Sequence, residues 1–210
     1  VCEEVGLLGA SAMDFYPCRA RRMINIDSEV EGILTAGCAG GRRARCHIPV
    51  KRTPCSGLRC KLELTGLMGG HSGMEIDKGR SNAAALLGRF LMFLKENIPY
   101  NLVTLTAGVK ENVIPKSGSA VILIPPEEEE ALRRVLERFM RYMGAEYGKA
   151  DPDIRLELMV GKAGEFPALD EDSRLRVLTA LNLMPNGVQA MSMDLPGLVE
   201  TSINLGVAEL

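Results

Sequence analysis

Two adjacent carboxylates open the chain, Glu3 and Glu4, in the run EEVGLLGA. Neighbouring side chains at a turn or helix start point in different directions, so one can bind a metal ion while the other holds an attacking water. That division is what metal-assisted hydrolysis requires, a Lewis acid beside a general base. On the dipeptide alone, favourable electrostatics at a helix start is the better reading of the pair. Asp27 follows the apolar run MINI and is a hard oxygen ligand suited to a divalent ion; taken alone it also reads as a turn or cap residue. His71 stands in GGHSG, flanked by Gly69, Gly70 and Gly73. Glycines there permit unusual backbone angles and leave the ring little crowded, which exposes an imidazole rather than burying it. His47, in the alternating stretch ARCHIPV, reads instead as structural. Asn112, in KENVIP, carries an amide able to hydrogen-bond a ligand or to cap its own loop.

The elements that must hold these groups follow from periodicity. A short helix is expected over 4–16, ending at Pro17, and a buried strand over 22–26 that delivers Asp27 at its carboxyl end, the usual place for a functional group in an open α/β sheet. The Gly- and Arg-rich stretch after it places a domain boundary near Gly37. Cys60, Leu62 and Leu64 alternate with Arg59, Lys61 and Glu63, predicting a half-buried strand over 59–65. A strongly apolar helix is predicted over 81–96, strands over 101–107 and 117–124, an amphipathic helix over 127–143 and a strand over 154–160. That order is β-α-β-β-α-β, the ferredoxin-like arrangement, with both helices expected on one face. A helix over 172–183 and a hairpin of 188–194 with 198–207 complete the expectation.

Composition narrows the function classes. The 210 residues are 46% hydrophobic and 25% charged, with a net charge of −2, ordinary for a soluble globular chain. No basic footprint for nucleic acid is present, and aromatics at 4% leave no base-stacking platform. No apolar run is long enough to span a membrane, and the first residues do not read as a signal peptide. The six cysteines form no CxxC pair, so they read as free thiols of a reducing, cytoplasmic compartment; a disulfide among Cys46, Cys55 and Cys60 is the alternative. Neither glycine-rich segment fits a P-loop or a dinucleotide fingerprint.

EEVGLLGA, MINIDSEVEG, TAGCAGG, TGLMGGHSG, KGRSNAAALLGR, ENVIP, PNGVQAMS and LVETSINLGV occur together and in order. This succession resembles the aminoacyl-histidine dipeptidases (peptidase D, Xaa-His dipeptidases) of the dizinc carnosinase and aminoacylase-like peptidases, over essentially the whole chain. The resemblance implies roles: Glu3 as general base, Glu4 and Asp27 as zinc ligands, His71 as the substrate-binding and oxyanion-stabilising histidine of a lid domain, and Asn112 as a lid asparagine contacting substrate. It implies residues 1–36 as part of an α/β catalytic domain and 37–210 as a lid and dimerisation domain. The family's H-x-D motif, bridging aspartate, C-terminal histidine ligand and further lid arginine have no counterpart here, so the chain reads as an excerpt. The parent would hold two zinc ions, or cobalt or manganese, cleave Xaa-His or similar dipeptides, and pair as a homodimer through the lid; the isolated chain is expected to bind no metal tightly. An isolated non-catalytic module, or a sibling acting on N-acyl amino acids, is the alternative.

Overall fold

The alternation at Cys60, Leu62 and Leu64 is realised in a five-stranded antiparallel sheet, where all three side chains are buried. The computed structural model describes residues 8–22, 24, 31–34 and 37–210. These fall into two compact units, Val1–Arg43 and Ala44–Leu210. In the first, helix α1 spans only Leu8–Ser11. The helix expected over 4–16 therefore stops early: Asp14 accepts the Tyr16 backbone N–H at 2.9 Å, and Cys18 donates to the Phe15 carbonyl. Such local side-chain bonds offer the backbone a turn in place of a further helical one. The strand expected over 22–26 falls mostly outside the described residues.

The second unit begins with β1 (Arg52–Thr65) and the two-residue strand β2 (Gly70–His71). Helix α2 (Ala83–Lys95), β3 (Asn101–Ala107), β4 (Val113–Ile114) and β5 (Gly118–Ile124) follow. Helix α3 (Glu129–Tyr147) is entered through a short 3-10 turn at Pro126–Glu128 and leads to β6 (Arg155–Leu169) and helix α4 (Glu171–Leu183). The hairpin β7 (Gly187–Met191) and β8 (Val199–Ile203) and a last short strand β9 (Ala208–Glu209) end the chain. The main sheet runs β6-β1-β5-β3-β9. Its first four strands have the order that a β-α-β-β-α-β chain gives a ferredoxin-like sheet, and β9 pairs beside β3 through Ala107–Ala208.

Both crossover helices cover one face. Leu86, Leu87, Phe90, Leu91 and Leu94 of α2 and Leu132, Val135, Phe139 and Met143 of α3 share a core with Leu62, Leu102, Ile122 and Ile124 of the sheet. Each fully buried large apolar side chain contributes about 2 kcal/mol by removal from water. Phe90 and Phe139 meet edge to face at 5.1 Å, joining the two helices. Helix α2 is apolar on more than one side because α4 packs against it: a Cβ at Gly88 would lie 2.7 Å from Leu181.

β1 and β6 extend well past the strands expected at 59–65 and 154–160. Beyond Leu58, β1 loses β5 as a partner and continues with β6 as a two-stranded ribbon from Arg52–Leu169 to Gly57–Gly164. Pro54 stands opposite Pro167 there. Proline is tolerated where one side of a strand has no ladder to feed, and that is why the Pro- and Gly-containing arms carry no strand signal.

Candidate functional site: the His71 loop and the Asn112 turn

His71 lies at the end of β2, and the short ladder it forms with β4 pairs His71 with Val113 and Gly70 with Ile114. One residue further, the Ser72 N–H donates to the Asn112 carbonyl at 3.0 Å. His71 and Asn112, far apart in sequence, are thus brought together, and both are exposed.

The backbone of His71 is held on both sides by Glu75. Glu75 Oε2 accepts the His71 N–H at 3.0 Å, and the Glu75 N–H donates to the His71 carbonyl at 2.9 Å. The other carboxylate oxygen pairs with Arg80 at 2.9 Å, and Arg80 in turn donates to the Gly69 carbonyl. The His71 N–H, with help from the Arg80 charge, holds the Glu75 carboxyl below its usual range. Gly70 makes this compactness possible. Its φ is +133°, and a Cβ would sit 2.4 Å from Arg80 Nη1 and 2.5 Å from Glu75 Oε2.

The ring itself is oriented by its own loop. The Gly73 N–H donates to His71 Nδ1 at 3.1 Å. A nitrogen that accepts is unprotonated, so the neutral ring carries its proton on Nε2. Nε2 makes no hydrogen bond to any described residue, and the side chain presents an N–H donor to solvent.

Both feet of the loop are tied to one buried carboxylate. Asp151, wholly inaccessible, accepts the Met68 N–H on Oδ1 and the Ser81 N–H on Oδ2, each at 2.7 Å. A carboxylate taken from water needs such charge-assisted partners. Asp151 was not among the sequence candidates: in KADPD it reads as an ordinary turn residue.

The Asn112 turn is braced by asparagines that the sequence reading met only as parts of motifs. Asn82 caps α2, its Oδ1 accepting from Ala84 and Ala85. Its Nδ2 donates to Asn186 Oδ1 at 3.0 Å and to the Leu205 carbonyl at 3.1 Å. Asn204 donates to the carbonyls of Glu111 and Val113. The signal that could have found them was the recurrence of an asparagine in RSNAA, PNGVQ and SINLG.

Glu3, Glu4 and Asp27 lie outside the described residues. Among the described residues no group of three or more His, Cys, Asp or Glu side chains is placed to hold a metal ion; the donors beside His71 are already engaged, Glu75 by Arg80 and Nδ1 by Gly73. This donor set does not fit a metal centre. His47, expected to be structural, is exposed in a segment without strand or helix. Cys18, Cys38, Cys46, Cys55 and Cys60 are free thiols. No helix among the described residues is long and apolar enough to cross a membrane.

The family model described as the peptidase dimerisation domain matches residues 62–151, which run from the core of β1 through α2, β3, β5 and α3 to Asp151. The whole chain is similar to the cytosol non-specific dipeptidase of Escherichia coli (strain K12), 34% identical over 210 residues, 99% of this chain and 43% of that protein. In structure it is similar to the aminoacylhistidine dipeptidase of Vibrio alginolyticus, with a TM-score of 0.68 at 34% identity, covering 78% of this chain and 32% of that one. The chain therefore spans less than half the length of either dipeptidase. The mixed α/β sheet and the relatedness to dipeptidases agree with the resemblance drawn from the motifs.

Proposed function

We propose that this chain is the lid and dimerisation portion of a cytoplasmic dipeptidase that hydrolyses Xaa-His or similar dipeptides. The observation that carries the reading is the Ser72–Asn112 backbone bond beside the His71–Val113 pair, which brings two exposed residues, His71 and Asn112, onto one ladder whose backbone is held by Glu75 and Asn204. Two zinc ions, or cobalt or manganese in their place, would supply Lewis acidity when bound to the whole enzyme, with Glu4 and Asp27 among their ligands. Glu3 accepts the proton of the attacking water. His71 donates from Nε2 to the oxyanion of the tetrahedral intermediate, and Asn112 holds the substrate by its amide. The proton taken by Glu3 then passes to the leaving amine.

A donor aimed where charge develops strengthens toward the transition state, so its loss falls on turnover. In the full-length enzyme, His71→Ala lowers kcat/KM by about ten- to a thousandfold, the range for an oxyanion donor. Metal content, measured by elemental analysis, stays unchanged. Wild-type kcat/KM in that variant would remove His71 from the site.

A further inference from the structure

We infer that Asn204 is a positioning residue of this site, fixing the Asn112 peptide beside the His71 loop from the far end of the chain. The inference rests on the reading that Asn112 meets substrate.

Asn204 follows the last residue of β8, and its Nδ2 lies 3.1 Å from the Glu111 carbonyl and 2.9 Å from the Val113 carbonyl. One amide thus grips the residues on either side of Asn112, while the Asn112 carbonyl takes the Ser72 N–H. The three bonds leave the Asn112 backbone little freedom to rotate, and its side chain is aimed by the peptide that carries it.

The orientation of the Asn204 amide is itself determined. Two carbonyls face one end, which must therefore be the NH2 group, since a carbonyl only accepts. The Oδ1 end lies 3.5 Å from Asn82 Nδ2, a donor. Asn82 is buried and caps α2, so the brace is referred to the first turn of a core helix rather than to another loop. Asn186, at the foot of β7, completes the frame: its Oδ1 accepts from Asn82 and from the Leu205 N–H. The backbone beside Asn204 is seated as closely. A Cβ at Gly206 would come within 2.6 Å of the Glu111 carbonyl oxygen, so only glycine lets the 204–206 segment lie directly on the turn. The β8 end of the hairpin is in this way anchored to the Asn112 turn, and the β7 end to Asn82 and Leu205 beside it. A residue needed only to close a hairpin has no reason to bridge two carbonyls of another loop.

The test has one arm on this chain and one on the full-length enzyme. In the 15N-labelled chain, Asn204→Ala should raise hydrogen exchange at the Ser72 amide by about tenfold or more, because the carbonyl it donates to is no longer held. Amides of the β1–β5 ladder, such as Leu62 and Ile122, should keep wild-type rates. Asn204→Asp preserves size and the acceptor toward Asn82 but turns a carboxylate oxygen toward two carbonyls; it should give the same loss, and it serves if the alanine variant folds poorly. Unchanged Ser72 exchange in both variants, or a parallel rise throughout the sheet, overturns the inference. In the full-length enzyme Asn204→Asp should lower kcat/KM about tenfold at unchanged metal content, the cost of a modest misplacement of a substrate contact. Faster Ser72 exchange with wild-type kcat/KM would instead overturn the assignment of Asn112 to substrate, and with it the place of Asn204 in the site.

Discussion

The Gly73 backbone N–H points at His71 Nδ1 from 3.1 Å, closing a small ring between a side chain and the peptide two residues on. This contact fixes the tautomer and leaves very little room: a Cβ at Gly73 would lie 3.2 Å from the His71 ring carbon Cε1 and 3.3 Å from Nδ1. An imidazole on an exposed loop would otherwise sample several rotamers, each placing its donor differently.

Gly73→Ala therefore displaces the ring without deleting it. The side-chain 15N shifts of His71 should lose the pattern of a neutral ring protonated at Nε2 and become those of a tautomer mixture. The full-length variant should fall in kcat/KM by about tenfold, less than the loss of the whole ring, since a misplaced donor still donates part of the time. An unchanged nitrogen spectrum would show that the loop holds the ring by some other contact.

Acid should loosen the same loop. The Glu75 carboxyl is depressed below its reference value of 4.5, first by the His71 N–H and then by Arg80. A carboxylate depressed in the folded state contributes stability above its unfolded value, and that contribution is lost as pH falls through the depressed one. The Glu75 side-chain carboxyl resonance should accordingly titrate with its midpoint below the reference value of 4.5. Glu75→Gln should abolish that titration and speed His71 amide exchange at pH 7. A Glu75 carboxyl that titrates at or above its reference value would contradict the assignment.

Most of the sheet was legible in the sequence, because β1, β3, β5, α2 and α3 each bury a face and their periods report it. Cys60, Leu62 and Leu64, or Leu132, Val135 and Phe139, need only their spacing to be placed. The ribbon of Arg52–Gly57 with Gly164–Leu169 was not, since its β1 arm buries no side chain and it contains Pro54 and Pro167. The site divides the same way. Isolated features such as the glycines around His71 were visible. Asp151 acts on the backbone of a distant loop, and a bond to a backbone N–H leaves no pattern in side-chain identity; Asn204 left only the recurrence of asparagine, which does not say which carbonyls it meets.

Cys60 offers a check on the core that is independent of function. Burial, and secondarily the Glu129 charge, pushes its thiol up to about 11. Only the thiolate reacts, so at pH 8 an alkylating reagent should label the exposed Cys18, Cys38 and Cys46 and leave Cys60 untouched until the chain unfolds. A thiol raised in the folded state contributes stability below its unfolded value of 9.0 that is lost as pH rises toward 11. Cys60→Ser should flatten that alkaline decline while costing stability, because a hydroxyl would lie unpaired among Leu62, Ile122 and their neighbours. Peptide mapping that finds Cys60 labelled in the native state would mean that β1 opens readily.

The last prediction concerns how the two carboxylates at the start of the chain cooperate with the loop. With Glu3 as base and Glu4 as ligand, Glu3→Gln in the full-length enzyme should keep its metal and lose turnover by about a hundredfold or more, because an amide cannot take a proton from water. Glu4→Gln should instead lower metal occupancy; the reverse pattern would exchange the two roles. These variants also decide which copy of the chain supplies His71. The stretch similar to the peptidase dimerisation domain includes the His71 loop, so under the proposed reading the imidazole serves either the site of its own subunit or that of its partner. Mixing the Glu3→Gln and His71→Ala enzymes separates the two geometries. If His71 acts across the interface, one of the two sites in a mixed dimer receives a Glu3 and a His71 that are both intact, and activity returns to about half the wild-type value per mixed dimer, about a quarter for a fully exchanged equimolar mixture. If it acts within one subunit, every site in the mixture lacks one group or the other and activity stays at the level of the single variants. Asn112 must follow His71 in either case, because the Ser72–Asn112 bond holds both on the same ladder. Asn112→Ala mixed with Glu3→Gln should therefore recover, or fail to recover, in step with His71→Ala.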